Sequence, residues 1–399
     1  MKPRAARSSP DNAAGRVRIL RGIGEIDAAA WNALAGTVQP FLRHEFLSAL
    51  EVSGCATPQR GWTPAHLVLE DAAGRAIGAM PVYEKTHSRG EFVFDFSWAS
   101  AYQQHGLPYY PKLVSAVPFT PVRGARALTH PSVDAAATRR TLIAAAVDHA
   151  RARGCSSWHV LFPRDEEIGD LADAGLIVRR DCQFHWYNQA YASFDAFLST
   201  FTAEKRKKAK RERRRVAEAG ITFDTLHGGD IDSALWATLY EFYADTFYRH
   251  GHDPYLNLRF FKQIASTLPE SLMIKIARLG AAPIAAAIFF VGADALYGRY
   301  WGAGGNYHSL HFETCYYQGI EYCIERGLAR FEPGTQGEHK VPRGFVPTMM
   351  NSAHYIEDPR FAAAIRDFAA REARAVARYA ADVQEHVPYH RSADEELHL

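Results

Sequence analysis

The chain has no long apolar run, no paired cysteines and almost no net charge. Each shortage removes a class of protein. Its longest apolar stretch, Ala281 to Val291, is broken by Gly292 and Asp294 and falls short of the roughly 20 residues that a membrane-spanning helix needs. Five cysteines (Cys55, Cys155, Cys182, Cys315 and Cys323) are odd in number and form no CxxC pair. That argues against a disulfide or zinc framework and points to reduced thiols in a cytoplasm. Met1 to Arg18 is rich in Arg, Ala and Ser without an apolar core, so it is no signal peptide and is expected to be a loose tail. These shortages together predict a soluble, cytoplasmic protein. With 47% hydrophobic and 12% aromatic residues among 399, the chain is well supplied for a core and long enough for two ordinary domains.

What is present is one pattern stated twice. His66 to Asp71 reaches a turn at Gly74 and returns as Ala76 to Tyr83, followed by an aromatic stretch, Glu91 to Trp98. Leu272 to Arg278 reaches Gly280 and returns as Pro283 to Val291, followed by Ala295 to Trp301. Both continue into tyrosine pairs, Tyr109-Tyr110 and Tyr316-Tyr317. A spacing of about two hundred residues means duplication of a whole domain, because solenoid repeats recur every 20–50 residues or so. Two similar domains around a groove suit a protein that holds two substrates.

Each half reads as a helix pair, three antiparallel strands, a helix and a strand, an α+β order. In the first, helices are expected at residues 26–34 and 45–52, and Pro118-Phe-Thr-Pro121 forms a rigid non-helical crossing. An amphipathic helix at about 134–153, with Leu142, Ile143, Ala146 and Val147 on one side, stops at Gly154. Strands follow at 157–162 and near 183–187. In the second, a basic helix at about 203–219 ends at Gly220, and a helix near 231–248 carries Trp236, Tyr240, Phe242, Tyr243 and Phe247. Three strands, a helix at about 310–325, a strand at 329–332 and an Ala-rich helix at about 360–382 complete it. The expected boundaries are a tail (1–18), a first domain (19–190), a basic helical linker (191–220), a second domain (221–385) and a polar tail (386–399).

The net charge of +2 is unevenly placed: nine of the eleven residues from Lys205 to Arg215 are basic, and one, Glu212, is acidic. Cations so crowded repel one another. They need wide exposure, as in a solvated linker, or an anionic partner such as phosphate. Thr202 and Glu204 suit the start of a helix. No RRM, KH or helix-turn-helix pattern accompanies it, so sequence-specific reading of nucleic acid is not implied.

This segment resembles the linker of the FemAB-like aminoacyl-tRNA-dependent transferases, where a basic helix ending in Gly joins two GNAT-like domains. The matching residues are Thr202, Lys205, Arg206 and Gly220. Further stretches carry the likeness to FemAB-like N-acyltransferases: Phe92 to Asp95, Tyr109 to Leu113, Pro118 to Pro121, Tyr297 to Gly302, Leu310 to Gln318 and Gln336 to Lys340. The resemblance covers most of Phe41 to Phe368. It implies an α+β fold of tandem GNAT-like (acyl-CoA N-acyltransferase) domains joined by a basic helix. It further implies aminoacyl-tRNA as donor co-substrate, contacted by Lys205, Arg206 and Lys210, with no tightly bound cofactor. The implied acceptor is a peptidoglycan precursor or another small amine.

Acyl transfer to an amine needs a deprotonated amine, stabilisation of an oxyanion and two aligned substrates. The densest polar cluster runs from Glu332 to Arg343. Glu332, Glu338 and His339 are candidate acid–base groups, Lys340 and Arg343 candidate anion binders, and Gln336 a substrate contact; a plain polar surface loop is the alternative. A second cluster opens a helix with His311, Glu313, Tyr316, Tyr317 and Gln318. Glu313 is also explained there by the helix dipole alone, and one of the two tyrosines by the core. His308 and His311 are three apart with no third ligand spacing, so no metal is expected. Period-two alternation puts Tyr297, Arg299 and Trp301 on one sheet face, where Arg299 is either a clamp for carboxylate or phosphate or a solvated arginine. Asp95, Trp98, Tyr102 and Lys112 are candidates to shape an acceptor site in the first half. Arg299-x-x-Gly302-x-Gly304 also fits the pyrophosphate loop of acetyl-CoA-dependent enzymes, which keeps that donor open. The expected function is an N-acyltransferase; the alternatives are an acyl-CoA-dependent N-acetyltransferase and a non-catalytic binder of RNA or cell-wall precursor.

Overall fold

The computed structural model describes residues 15–335 and 337–390; the expected tails fall partly outside them, at 1–14 and 391–399. The first half consists of β1 (Arg16–Leu20), α1 (Ala28–Ala35), α2 (His44–Val52), β2 (Trp62–Pro64), β3 (His66–Glu70), β4 (Ala76–Met80), β5 (Tyr83–Lys85), α3 (Phe96–Gln104), β6 (Lys112–Ser115), β7 (Leu128–Thr129), α4 (Ala135–Ala152), β8 (Ser157–Leu161), α5 (Asp165–Asp173) and β9 (Ile177–Tyr187). The second consists of α6 (Phe194–Ser199), α7 (Ala203–Glu218), β10 (Ile221–His227), α8 (Ser233–Arg249), α9 (Leu258–Thr267), β11 (Leu272–Leu279), β12 (Ala282–Val291), β13 (Ala295–Ala303), α10 (Leu310–Phe312), α11 (Gln318–Arg326), β14 (Arg330–Glu332), β15 (Val346–Ile356) and α12 (Pro359–Gln384).

Local chemistry explains the well-read elements. Asp134 caps α4 by accepting from the Ala137 amide, and Leu142, Ile143, Ala146 and Ala150 form its buried stripe. The basic helix α7 buries Ala209, Glu212 and Val216 on one side, leaving most of its cations in water. Thr202 precedes it in an extended conformation without a side-chain cap.

Two expectations fail. The aromatic stretch from Glu91 to Trp98 is not a strand: Asp95 ends a loop and Phe96 begins α3. The reason lies outside the segment, because a buried Lys112 draws Glu91 and Asp95 onto its ammonium group. The strand beside β8 is β6 instead. The pattern also does not close at β14, since β15 follows it.

That strand changes the architecture. An 11-stranded sheet runs β10-β11-β12-β13-β14-β9-β15-β8-β6-β5-β2, and a four-stranded sheet runs β1-β3-β4-β7. Each half has one parallel pair, β6 with β8 and β13 with β14. The halves then exchange strands: β9 pairs with β14, and β15 pairs with β8. At the centre β9 and β15 pair antiparallel from Val346↔His185 to His354↔Ile177. The largest core cluster is shared too, with Phe41 and Phe46 of the first half packed on Phe290, Tyr297 and Phe260 of the second. No described helix is long and apolar enough to cross a membrane.

Neither half can therefore complete its sheet alone. Expressed separately, residues 15–200 and 201–390 are expected to lack a cooperative thermal transition, and to regain one with native near-UV circular dichroism when co-expressed. A cooperative melt of either fragment alone would show that the exchange is dispensable.

Candidate active site

Where β13 and β14 part company, after Tyr297↔Glu332, the chain leaves a cavity of about 550 Å³. Its floor is Gly298 to Trp301 of β13, and its rim includes Pro333 to Thr335, His339 and Lys340. His311, Cys315 and Tyr316 close one side, Phe247, His250, His252 and Tyr255 another, and Phe92 and Pro121 reach in from the first half. The cavity thus lies between the halves. Arg299 reinforces this seam by donating from Nη2 to the Phe119 carbonyl.

A bulge shapes the floor. Phe289 pairs with Gly298 and Ile288 with Tyr300, so Arg299 is an extra residue on its strand. The expected alternation is thereby broken. Tyr297 and Tyr300 both join the core shared by the halves, while Trp301 packs against a second cluster that includes Phe331 and Tyr316.

The rim carries the polar chemistry. Gly337, at φ 103°, turns the chain where a side chain would collide with the His339 ring. The next residues coil through Glu338–Arg343. Lys340 is 2% exposed and its Nζ donates to the Gly334 carbonyl at 2.6 Å. Burial, with no carboxylate partner among the described residues, drops its pKa to about 7. His339 is solvent-accessible and shares a hydrogen bond between Nε2 and the Tyr316 hydroxyl at 2.8 Å. Burial, then the Lys340 and Arg343 charges, hold its pKa below the usual value. Burial also pulls His311 down to about 4. Its ring lies 5.4 Å from those of Trp301 and Tyr316. Two neutral imidazoles and one poised ammonium group therefore face a single cavity near neutral pH.

Arg299, Trp301, His311, His339 and Lys340 come together here; other sequence candidates stand behind them. Arg343 is buried, donates to Glu212 Oε1 at 2.7 Å and to the His339 carbonyl at 2.5 Å, and lies 3.4 Å from the centre of the Phe312 ring. Tyr317 donates to Glu212 Oε2 at 2.7 Å. Residues Glu313–Tyr317 form a π-helical turn, whose added residue per turn aims Tyr316 at the cavity and Tyr317 at the core. Glu313 is buried against Arg213 of α7 at 3.1 Å. Glu332 is paired with Arg330 at 2.9 Å, and Glu338 accepts from Tyr379 at 2.8 Å; neither lines the cavity. Gln336 lies outside the described residues.

The first-half candidates form a separate buried network. Lys112 donates to Glu91 and Ser88 at 2.8 and 2.9 Å and to Asp95, which also accepts from Tyr109 at 2.6 Å. Burial raises Glu91 to about 7, whereas the Lys112 charge overcomes burial at Asp95 and lowers it to about 2. Trp98 and Tyr102 pack on Phe368 and Phe361 of α12. Through Glu91 and Asp95, Lys112 ties down the loop that carries Phe92. Beside β8 the Gly124 amide and the Arg126 side chain donate to the carbonyls of Phe162 and Leu161.

Of the basic helix, Arg206 approaches the Ser199 and Phe201 carbonyls, and Lys210 pairs with Asp195 at 3.0 Å. Lys205 is half-buried, while Lys207, Lys208 and Arg211 are exposed. The glycines of the pyrophosphate-like pattern serve packing: a side chain at Gly302 would lie 1.9 Å from the Phe242 carbonyl oxygen of α8. Arg299 and Gly302 belong to β13, not to a loop. Sequence reasoning missed Cys315, Thr335, Phe92 and the wall from Phe247 to Tyr255. Only the aromatic ladder of α8 hinted at that wall.

A family model described as peptidoglycan biosynthesis/recognition, FemAB-like, matches residues 22–391. No curated protein matches the sequence. Among solved structures, the C-terminal DUF2156 domain of a protein assigned as lysylphosphatidylglycerol synthetase from Agrobacterium fabrum is 10% identical. The match covers 87% of this chain and 96% of that one, with a TM-score of 0.54. FemX is 11% identical over 88% of this chain and all of its own, with a TM-score of 0.51. A tandem GNAT protein from the clavulanic acid pathway is 12% identical over 86% and 99%, with a TM-score of 0.43. The α+β fold, here two similar halves joined by a basic helix, is shared with FemX and with the DUF2156 domain.

The rim depends on α7 through one carboxylate. Glu212→Ala leaves the buried Arg343 unpaired and is expected to cost about 3–5 kcal/mol of stability in denaturant unfolding. Lys207→Ala and Lys208→Ala should stay within about 0.5 kcal/mol of the parent.

Proposed function

The chain belongs to the FemAB-like family and is an acyltransferase, and from that premise we propose that it transfers an aminoacyl group from tRNA to an amine. The acceptor is a peptidoglycan precursor or another small amine-bearing molecule. The observation that carries this reading is Lys340, a buried ammonium group with no carboxylate partner among the described residues, beside His339 at the split between β13 and β14.

In the proposed reaction the acceptor nitrogen attacks the ester carbonyl carbon of the donor. The neutral His339 imidazole takes a proton from that nitrogen, and the Lys340 ammonium group donates a hydrogen bond to the carbonyl oxygen as it gains charge. The carbon–oxygen bond to the ribose then breaks. The departing ribose oxygen takes the proton back from His339, leaving an amide and a free tRNA hydroxyl. Tyr316 orients His339, and the Arg343 bond to the His339 carbonyl fixes the turn. The exposed cations of α7, above all Lys207, Lys208 and Arg211, provide a phosphate-binding face. A neighbour whose name describes joining lysine to phosphatidylglycerol supports an aminoacyl donor. A charged tRNA also places the reaction in the cytoplasm, in keeping with five unpaired cysteines.

Side-by-side binding of charged tRNA and acetyl-CoA at near-physiological salt tests the donor. Replacing Lys207, Lys208 and Arg211 together by Ala should weaken tRNA binding about tenfold or more and flatten its salt dependence. Saturable acetyl-CoA binding without tRNA binding would replace this donor by an acyl-CoA. The acid–base assignment predicts a narrow bell in kcat/KM against pH. Its acid limb lies below the usual histidine value, where His339 gains a proton, and its alkaline limb starts near 7, where Lys340 loses one. Lys340→Arg should remove the alkaline limb and His339→Gln the acid limb. Full activity in both Lys340→Ala and His339→Ala would dismiss the site.

A further inference from the structure

We infer that the cavity binds a carboxylate between Arg299 and Lys340, carried either by the transferred acyl group or by the amine acceptor; this rests on the acyl-transfer reading of the same cavity. The lining is one-sided in charge. It holds two cationic side chains and four histidines, and among the described residues no aspartate or glutamate. Nearby carboxylates are committed elsewhere: Glu338 to Tyr379, Glu332 to Arg330, Glu313 to Arg213 and Glu212 to Arg343. Arg299 spends an Nη2 proton on the Phe119 carbonyl, and Lys340 bonds the Gly334 carbonyl. Neither takes part in an ion pair among the described residues.

The two cations border the same opening. Gly298, beside Arg299, packs against Pro333, and Lys340 holds the next residue, Gly334. Like charges repel, so a lysyl or arginyl side chain is disfavoured there while a carboxylate meets two opposite charges. The fork of Arg299 suits the two oxygens of a carboxylate. Aromatic side chains of Phe92, Phe247 and Tyr255 wall the opening beside the pair.

A carboxylate also changes the protonation of its partner. Burial holds Lys340 near 7; a bound anion favours the ammonium form, so binding above pH 7 takes up a proton and weakens as pH rises.

Calorimetry with the whole protein at pH 8, in two buffers of different ionisation enthalpy, tests this with glutarate, its diamide and 1,5-diaminopentane. Glutarate should bind with proton uptake, at least tenfold more tightly than the diamide, and the diamine should not bind. Lys340→Arg should keep glutarate binding and lose the proton uptake, and Arg299→Gln should weaken binding about tenfold. No glutarate binding, or equal binding of the diamine, overturns the inference. Transfer assays then separate the sources, pairing glutamyl, alanyl and lysyl donors with an amino-acid acceptor or its amide. An acyl-borne carboxylate favours the glutamyl donor regardless of the acceptor, whereas an acceptor-borne one makes amidation costly for every donor. Transfer indifferent to both charges overturns the carboxylate site alone. Glutarate binding with proton uptake but no transfer overturns the acyl-transfer reading and leaves the anion site standing.

Discussion

Between β9 and β15 runs the ladder that makes one molecule of two similar halves. Each of these strands leaves its own half to lie beside the other's parallel pair, and the two then hydrogen-bond to each other along most of their length. A central strand removed from such a sheet exposes unpaired amides and carbonyls on both neighbours. The cavity depends on this arrangement. Its floor and rim come from the second half, yet Phe92 and Pro121 of the first complete it. The halves must keep a fixed relation for the reacting groups to face one another.

The two halves use the same plan to opposite ends. Beside β14 the chain swings away and leaves room; beside β8 the equivalent carbonyls are bonded by Gly124 and Arg126. The first half instead spends its ionisable groups on a closed network around Lys112, which positions a loop. The second leaves Lys340 without an acidic partner among the described residues. Burying charges with counter-ions fixes structure, and burying one without a counter-ion sets a pKa for chemistry. The basic helix combines both uses. Its inner face is anchored through Glu212 and Arg213, and its outer face stays charged.

The duplicated hairpins were legible because alternation and glycine turns are local signals, and β11, β12 and β13 lie where the pattern placed them. So were α4 and α7, whose periodicity and terminal glycines need no partner to be seen. β15 was not legible: Val346-Pro-Thr-Met-Met-Asn-Ser has little alternation, and its partners β8 and β9 lie far away in sequence. The stretch from Phe92 to Phe96 alternates like a strand, and only the buried Lys112 overrules that reading. Tyr316 and Tyr317 were indistinguishable in the sequence, because their separation depends on one extra residue in a helical turn. The rim cluster was found from its density of polar groups. The aromatic wall contributed by α8 and the first half required the tertiary fold.

Strand exchange also sets an order of events during synthesis. β8 is complete early, but the strand that covers its edge is translated nearly two hundred residues later. At about 5–20 residues per second, that edge waits on the order of 10–40 seconds in the nascent chain. An uncovered edge beside apolar strands is a template for pairing with the wrong partner. The ladder that secures the finished protein thus leaves its half-made form with an open strand edge for that interval.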